Sequence, residues 1–137
     1  MTTTVTTTRA TMDDYLEALT SRGNFAIYFT DDVTFELIGT DQVINGRSPV
    51  EEFIRYAHET AFDSTVEVRT VTVDEDRDRC AVELVFSGPH TGDFVGIGAT
   101  GKEVRVPYSA YYDLTDDGIS AVRVYGVLQE LISALSP

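Results

Sequence analysis

The chain of 137 residues holds one cysteine, Cys80, and no tryptophan. A single cysteine excludes an intramolecular disulfide and any multi-cysteine metal site. Cys80 lies in an apolar stretch and reads as a small buried hydrophobe. Only two histidines occur, His58 and His90, and they stand far apart in sequence, so no metal site is expected. Basic residues are also few: ten, against 23 acidic ones, for a net charge of −13. Phosphate backbones and anionic membrane surfaces both select basic patches, which argues against nucleic-acid and membrane partners. No apolar run approaches the roughly 18 residues that span a bilayer. The N-terminus lacks the basic start and apolar stretch of a signal peptide, so a cytoplasmic location is expected.

What remains is ordinary globular composition, 42% hydrophobic and 24% charged. A chain of this length buries roughly 68% of its unfolded surface and needs no covalent staples. Residues 1–10 hold six threonines in the first eight positions and read as a disordered tail. A single domain is expected over 11–137.

Met12, Tyr15, Leu16 and Leu19 fall on one face of a helix, with Thr11 as its cap and Asp13-Asp14 in its first turn. Asn24–Phe29 suits a short second helix, and Asp31-Asp32 a turn. Residues 33–38 alternate as a strand, with Phe35 and Leu37 on one face and Glu36 on the other. Ser48-Pro49-Val50-Glu51 reads as a capping box opening a helix that runs to about Ala61 and buries Val50, Phe53, Ile54, Ala57 and Ala61. The spacing then predicts strands over 65–73, 80–87, 103–114 and 119–126, with Pro107 marking a bulge or an edge. A short terminal helix places Leu128, Leu131, Ile132 and Leu135 together. Helices first and strands last is an α+β order, and the short turns imply a mostly antiparallel sheet.

The connection from Gly88 to Lys102 holds five glycines. It reads Gly88-Pro89-His90-Thr91-Gly92-Asp93-Phe94-Val95-Gly96-Ile97, then Gly98-Ala99-Thr100-Gly101-Lys102. This resembles the "HTGEFxGxxxTGK" loop of SnoaL-like polyketide cyclases, and the element order is similar to that family over about residues 12–135. The resemblance implies a cone: a curved antiparallel sheet wrapped around three helices, with a short C-terminal helix and a blind apolar pocket. It also implies a homodimer through the outer sheet face, a hydrophobic small-molecule substrate and no cofactor.

The positions at which such proteins carry acid–base chemistry are apolar here. The aspartate of the last strand falls on Val124, or on Tyr125 after a one-residue slip. The pocket histidine falls on Ala110, the isomerases' general base on Leu37, and the epoxide hydrolases' arginine and aspartate on Leu84 and Phe86. Proton transfer needs a titratable group within hydrogen-bond reach, and these cannot supply one. The expectation is therefore a cofactor-independent cyclase of secondary metabolism that folds a polyketide-like chain in an apolar pocket, by [4+2] closure or similar chemistry. The alternatives are an epoxide hydrolase, cyclase or isomerase of the same superfamily, and a non-catalytic binding protein for an apolar ligand.

Strand parity turns Tyr108 and Tyr112 toward the pocket with Ala110, as candidate groups for orienting a substrate carbonyl. Tyr15, Phe35, Leu37, Phe53, Ala57, Leu84, Phe86, Ala110 and Val124 are the candidate substrate-binding residues. Core packing is the favoured reading of Tyr15. His58 is expected at the surface or rim. His90, Phe94, Gly96, Gly98 and Gly101 belong to a mobile lid, in which His90 shapes the loop. Glu36 and Glu83 are expected to point away from the pocket. The acid pairs at 13–14, 31–32 and 116–117 read as caps or turns.

Overall fold

The computed structural model describes residues 7–137. Helix α1 (Thr8–Thr20) is followed by a 3-10 turn (Phe25–Tyr28), strands β1 (Phe29–Leu37) and β2 (Val43–Asn45), and helix α2 (Arg47–Arg55). Helix α2 runs directly into a π turn (Tyr56–Ala61). Strands β3 (Thr65–Asp74), β4 (Arg79–Pro89), β5 (Glu103–Thr115) and β6 (Gly118–Tyr125) come next, and helix α3 (Val127–Leu135) closes the chain. One six-stranded sheet has the order β2-β1-β6-β5-β4-β3. Neighbours pair antiparallel, as short turns dictate, except β1 and β6, which run parallel. The curved sheet wraps the helices as a cone. No helix among the described residues is long and apolar enough to cross a membrane.

Helix α1 starts earlier than its apolar period suggests. The Thr7 side chain caps it by accepting from the Ala10 N–H at 3.0 Å. Glu75, in the β3–β4 turn, accepts from the N–H groups of Thr8 and Arg9 at 3.1 and 2.9 Å. A carboxylate on the free N–H groups of a helix start is a charge-assisted arrangement. Residues 8–10 of the expected tail are thus helical; residues 1–6 lie outside the described residues. Asp13 and Asp14 consequently sit in the body of the helix, exposed, and not in its first turn.

Helix α2 begins at Arg47, with Gly46 at the cap position and no side-chain cap. Gly46 has φ +99°, which turns the chain into the helix before Ser48 is reached. Pro49 then falls third in the helix, where its missing N–H is still unpaired. Glu51 pairs with Arg55 at 2.8 Å instead of closing a capping box. Asp31-Asp32 lies inside β1 and makes no turn. Pro107 pairs in register with Val85 and forms no bulge. Pairing with β6 ends at Ser109 and Tyr125, so Pro107 stands where β5 has lost that neighbour. In α3, Leu131 and Leu135 are buried, whereas Ile132 faces outward and is exposed.

Candidate active site

The inner face of the sheet and the inner faces of α1, α2 and α3 enclose a cavity. The enclosed space is about 80 Å³, smaller than the roughly 300–1,000 Å³ of typical small-molecule sites. Alternation along β5 brings Tyr108, Ala110 and Tyr112 to its wall, and their cross-strand neighbours Val122 and Val124 join them. Phe35 and Leu37 come from β1, Phe53 and Ala57 from α2 and the π turn, Phe86 from β4, and Tyr15 from α1. Leu84, expected in this wall, is buried in the core and is not part of it. The register places Val124 inside and Tyr125 outside, where Tyr125 is exposed. The slip to Tyr125 therefore puts no acid or base in the cavity. Glu36 and Glu83 are absent from the wall, as parity requires; Glu83 accepts from the Thr70 hydroxyl instead.

Polarity in the cavity comes from three tyrosines and one histidine. The Tyr15 and Tyr112 rings meet at 5.6 Å between centroids. Burial raises all three phenols well above their ordinary value. They stay protonated at any physiological pH and act as neutral donors. Tyr15 packs in the core, as favoured, and its ring also lines the cavity.

His58, expected at the surface or rim, is half-buried. It lines the cavity, edge-on to Phe86 at 5.2 Å and 84°. Burial, and then the Arg22 charge, lower its pKa from 6.5 to about 4. The imidazole is neutral at pH 7. An unfolded histidine takes its proton near pH 6.5, whereas the folded one waits until about 4. Stability linked to His58 is thus fully present above pH 6.5 and is lost as pH falls toward 4. At 1.36 kcal/mol per unit the loss reaches about 3 kcal/mol. Urea unfolding of the wild type and of His58→Phe at pH 7 and pH 4.5 checks this: the variant is expected to lose clearly less stability across that interval.

The 88–102 segment is tied down at its base. The Thr91 and Gly92 N–H groups donate to the Ala61 carbonyl at 2.9 and 3.0 Å. The Tyr56 hydroxyl donates to the Asp93 carbonyl. His90 is fully buried, stacked on Phe62 at 5.0 Å, and its Nδ1 accepts from the Thr100 N–H at 3.1 Å. It shapes the loop. Phe94 is buried and reaches the cavity wall, while Gly96, Gly98 and Gly101 stay outside it with open space around them. Val95 and Gly96 form an exposed tip that paired hydrogen bonds between Phe94 and Ile97 close.

Comparison with known proteins agrees with this architecture. The family model for SnoaL-like polyketide cyclase matches residues 10–133. The chain belongs to that family. Its fold superposes on a Pseudomonas putida protein provisionally named a polyketide cyclase, with TM-score 0.82 and 19% identity, covering 95% of this chain and 98% of that one. A Xanthomonas campestris protein of the same provisional name gives 0.79 and 23%, covering 94% and 96%. SalBIII, an epoxide hydrolase/cyclase-like enzyme of pyran ring formation in salinomycin, gives 0.72 and 21%, covering 90% and 92%. No curated protein sequence matches the chain. In this SnoaL-like protein the cavity walls are apolar at Leu37, Ala110 and Val124.

Proposed function

We propose that the protein closes a ring on an apolar, polyketide-like intermediate that carries a carbonyl oxygen. The observation behind this reading is an apolar cavity lined by three buried tyrosines whose phenols are held protonated. Neutral donors on a carbonyl draw electron density from the reacting chain and fix its orientation. The walls bring the reacting ends together, and near-attack geometry alone can contribute several kcal/mol. A [4+2] closure or a related cyclisation suits such a site and calls for no cofactor. The fold shared with SalBIII, a protein of pyran ring formation, supports a ring-forming role. Outside the cone, Tyr111 and Tyr125 stack edge to face at 5.2 Å and remain exposed on the outer sheet face, which suits a homodimer there.

Metabolites of the source organism after deletion of the gene test the reading. An accumulated isomer of the same mass as the normal product is expected. A compound lighter by one water would point to hydrolysis of an epoxide, and an unchanged metabolite profile would overturn the pathway role. With that isomer as substrate, Tyr108→Phe and Tyr112→Phe are each expected to lower kcat/KM by about tenfold or more, the effect of losing one donor to a developing negative oxygen. Unchanged turnover in both variants would remove the tyrosines from the mechanism.

A further inference from the structure

We propose that His58 is the proton-transfer group of the cavity and that Arg22 is the residue that positions it. The proposal rests on the ring-closing reading and adds a base to a pocket whose usual acid–base positions are apolar.

A π turn widens the helix and commonly marks a functional site. Here it brings Ala57 and His58 together into the cavity wall. The backbone of His58 is firmly held. Its carbonyl accepts from the Ser64 N–H at 3.1 Å, the Ser64 hydroxyl at 3.2 Å and the Arg22 guanidinium at 3.2 Å. Its ring nitrogens, by contrast, take no protein partner among the described residues, and they are not sealed away from open space. A residue with a pinned backbone and an unengaged imidazole in a cavity is arranged for a ligand.

A second opening supplies proton exchange. His58 also lines a small outer crevice with Leu19, Arg22, Phe25, Arg55 and Glu59. His58 thus borders the apolar cavity on one side and a water-sized crevice on the other. It can receive a proton from a ligand and release it toward solvent.

Arg22 fixes this arrangement. Its backbone has φ +58°, which few non-glycine residues adopt. From there its guanidinium also reaches the Asp63 carboxylate and the Ser64 carbonyl, both at 2.8 Å. The charged groups around His58 are therefore the Arg22–Asp63 pair, Arg55 and Glu59. Arg55 is paired with Glu51 and Glu59.

The step balances without a co-reactant. A neutral imidazole nitrogen takes the proton from a carbon next to the tyrosine-held carbonyl. The C–H electron pair becomes the carbon–carbon double bond of an enolate, whose oxygen the tyrosine hydroxyls hold. The enolate carbon forms the ring bond at an electrophilic carbon of the same chain. The imidazolium returns its proton where the charge lands, and His58 ends neutral. The implied ligand carries an acidic C–H beside its carbonyl.

The test uses 2-tetralone, an apolar ketone with such C–H groups, mixed with the whole chain in deuterated buffer. Binding is followed by tyrosine fluorescence and exchange by NMR. The wild type is expected to accelerate exchange. His58→Phe keeps an aromatic edge against Phe86; it is expected to bind the probe with similar affinity and to lose acceleration about a hundredfold, within the usual range of general-base catalysis. His58→Gln serves as the second variant should the phenylalanine disturb folding. Arg22→Met removes a charge that disfavours the imidazolium, so the pH midpoint of exchange is expected to move upward, and Arg22→Lys is expected to bring it partly back. A purely structural Arg22 would leave that midpoint in place. Binding without exchange, or equal exchange by His58→Phe, overturns the proposal alone. Failure to bind the probe overturns it together with the ring-closing reading.

Discussion

Gly88→Ala is expected to lower the melting temperature by roughly 10 °C or more, a loss of at least about 3 kcal/mol for a domain of this size. A Cβ at position 88 would stand 2.3 Å from the Asp63 carbonyl oxygen and 2.9 Å from the Ser64 Cα. Both are backbone atoms and cannot swing aside. Gly88 also has φ +145°, where an alanine is strained even in open space. The chain must then push residues 63 and 64 away from β4. Ser64 supplies two of the donors on the His58 carbonyl, so the site is expected to loosen with the fold. Gly96→Ala is the matched control from the same loop: φ is +83° but nothing lies within 4 Å. Its cost is expected to stay within the 1–2 kcal/mol or so of left-handed backbone strain. Thermal melts of the two variants, side by side, check both values. Equal melts would show that residues 63 and 64 yield freely.

Ala110→Phe is expected to abolish ring closure, by a hundredfold or more in kcat/KM, while the protein stays folded. Ala110 is buried in the cavity wall between Tyr108 and Tyr112, and across from Val124. A phenyl ring there projects into the void that the substrate would fill. Burying added apolar surface stabilises at about 25 cal/mol per Å². Overpacking, at about 1–3 kcal/mol, works against it. The melting temperature is therefore expected to change little while affinity collapses. A hundredfold is about 2.7 kcal/mol of lost binding. Ala110→Leu, a smaller intrusion, is expected to fall between. Full turnover by Ala110→Phe would mean that the reaction takes place elsewhere.

Much of the cone is legible in the chain because its signals are local. Alternation in 80–87 and 103–114 gives strands whose inner faces are the cavity wall, and it puts Tyr108, Ala110 and Tyr112 on one side. The parallel pairing of β1 with β6 is not local: it follows from how the curved sheet closes around the helices. Strand β2 has three residues and no alternation to read. The start of α1 depends on Glu75, 66 residues away from Arg9, which no window on the sequence sees. His58 did leave a signal. It lies four residues after Ile54 and eight after Val50, both buried on the inner face of α2. Spacing thus placed it toward the cavity, while its polar type argued for the rim.

The tyrosine cluster has a practical consequence. The chain has no tryptophan, so its intrinsic ultraviolet emission comes from seven tyrosines, and three of them face the cavity. Emission in a tryptophan-bearing protein would be dominated by energy passed to the indole. Here the cavity reports on itself: a conjugated guest that quenches or accepts that light can be titrated with no label attached and no residue changed. Screening a library of candidate intermediates then needs only the purified chain and a fluorimeter.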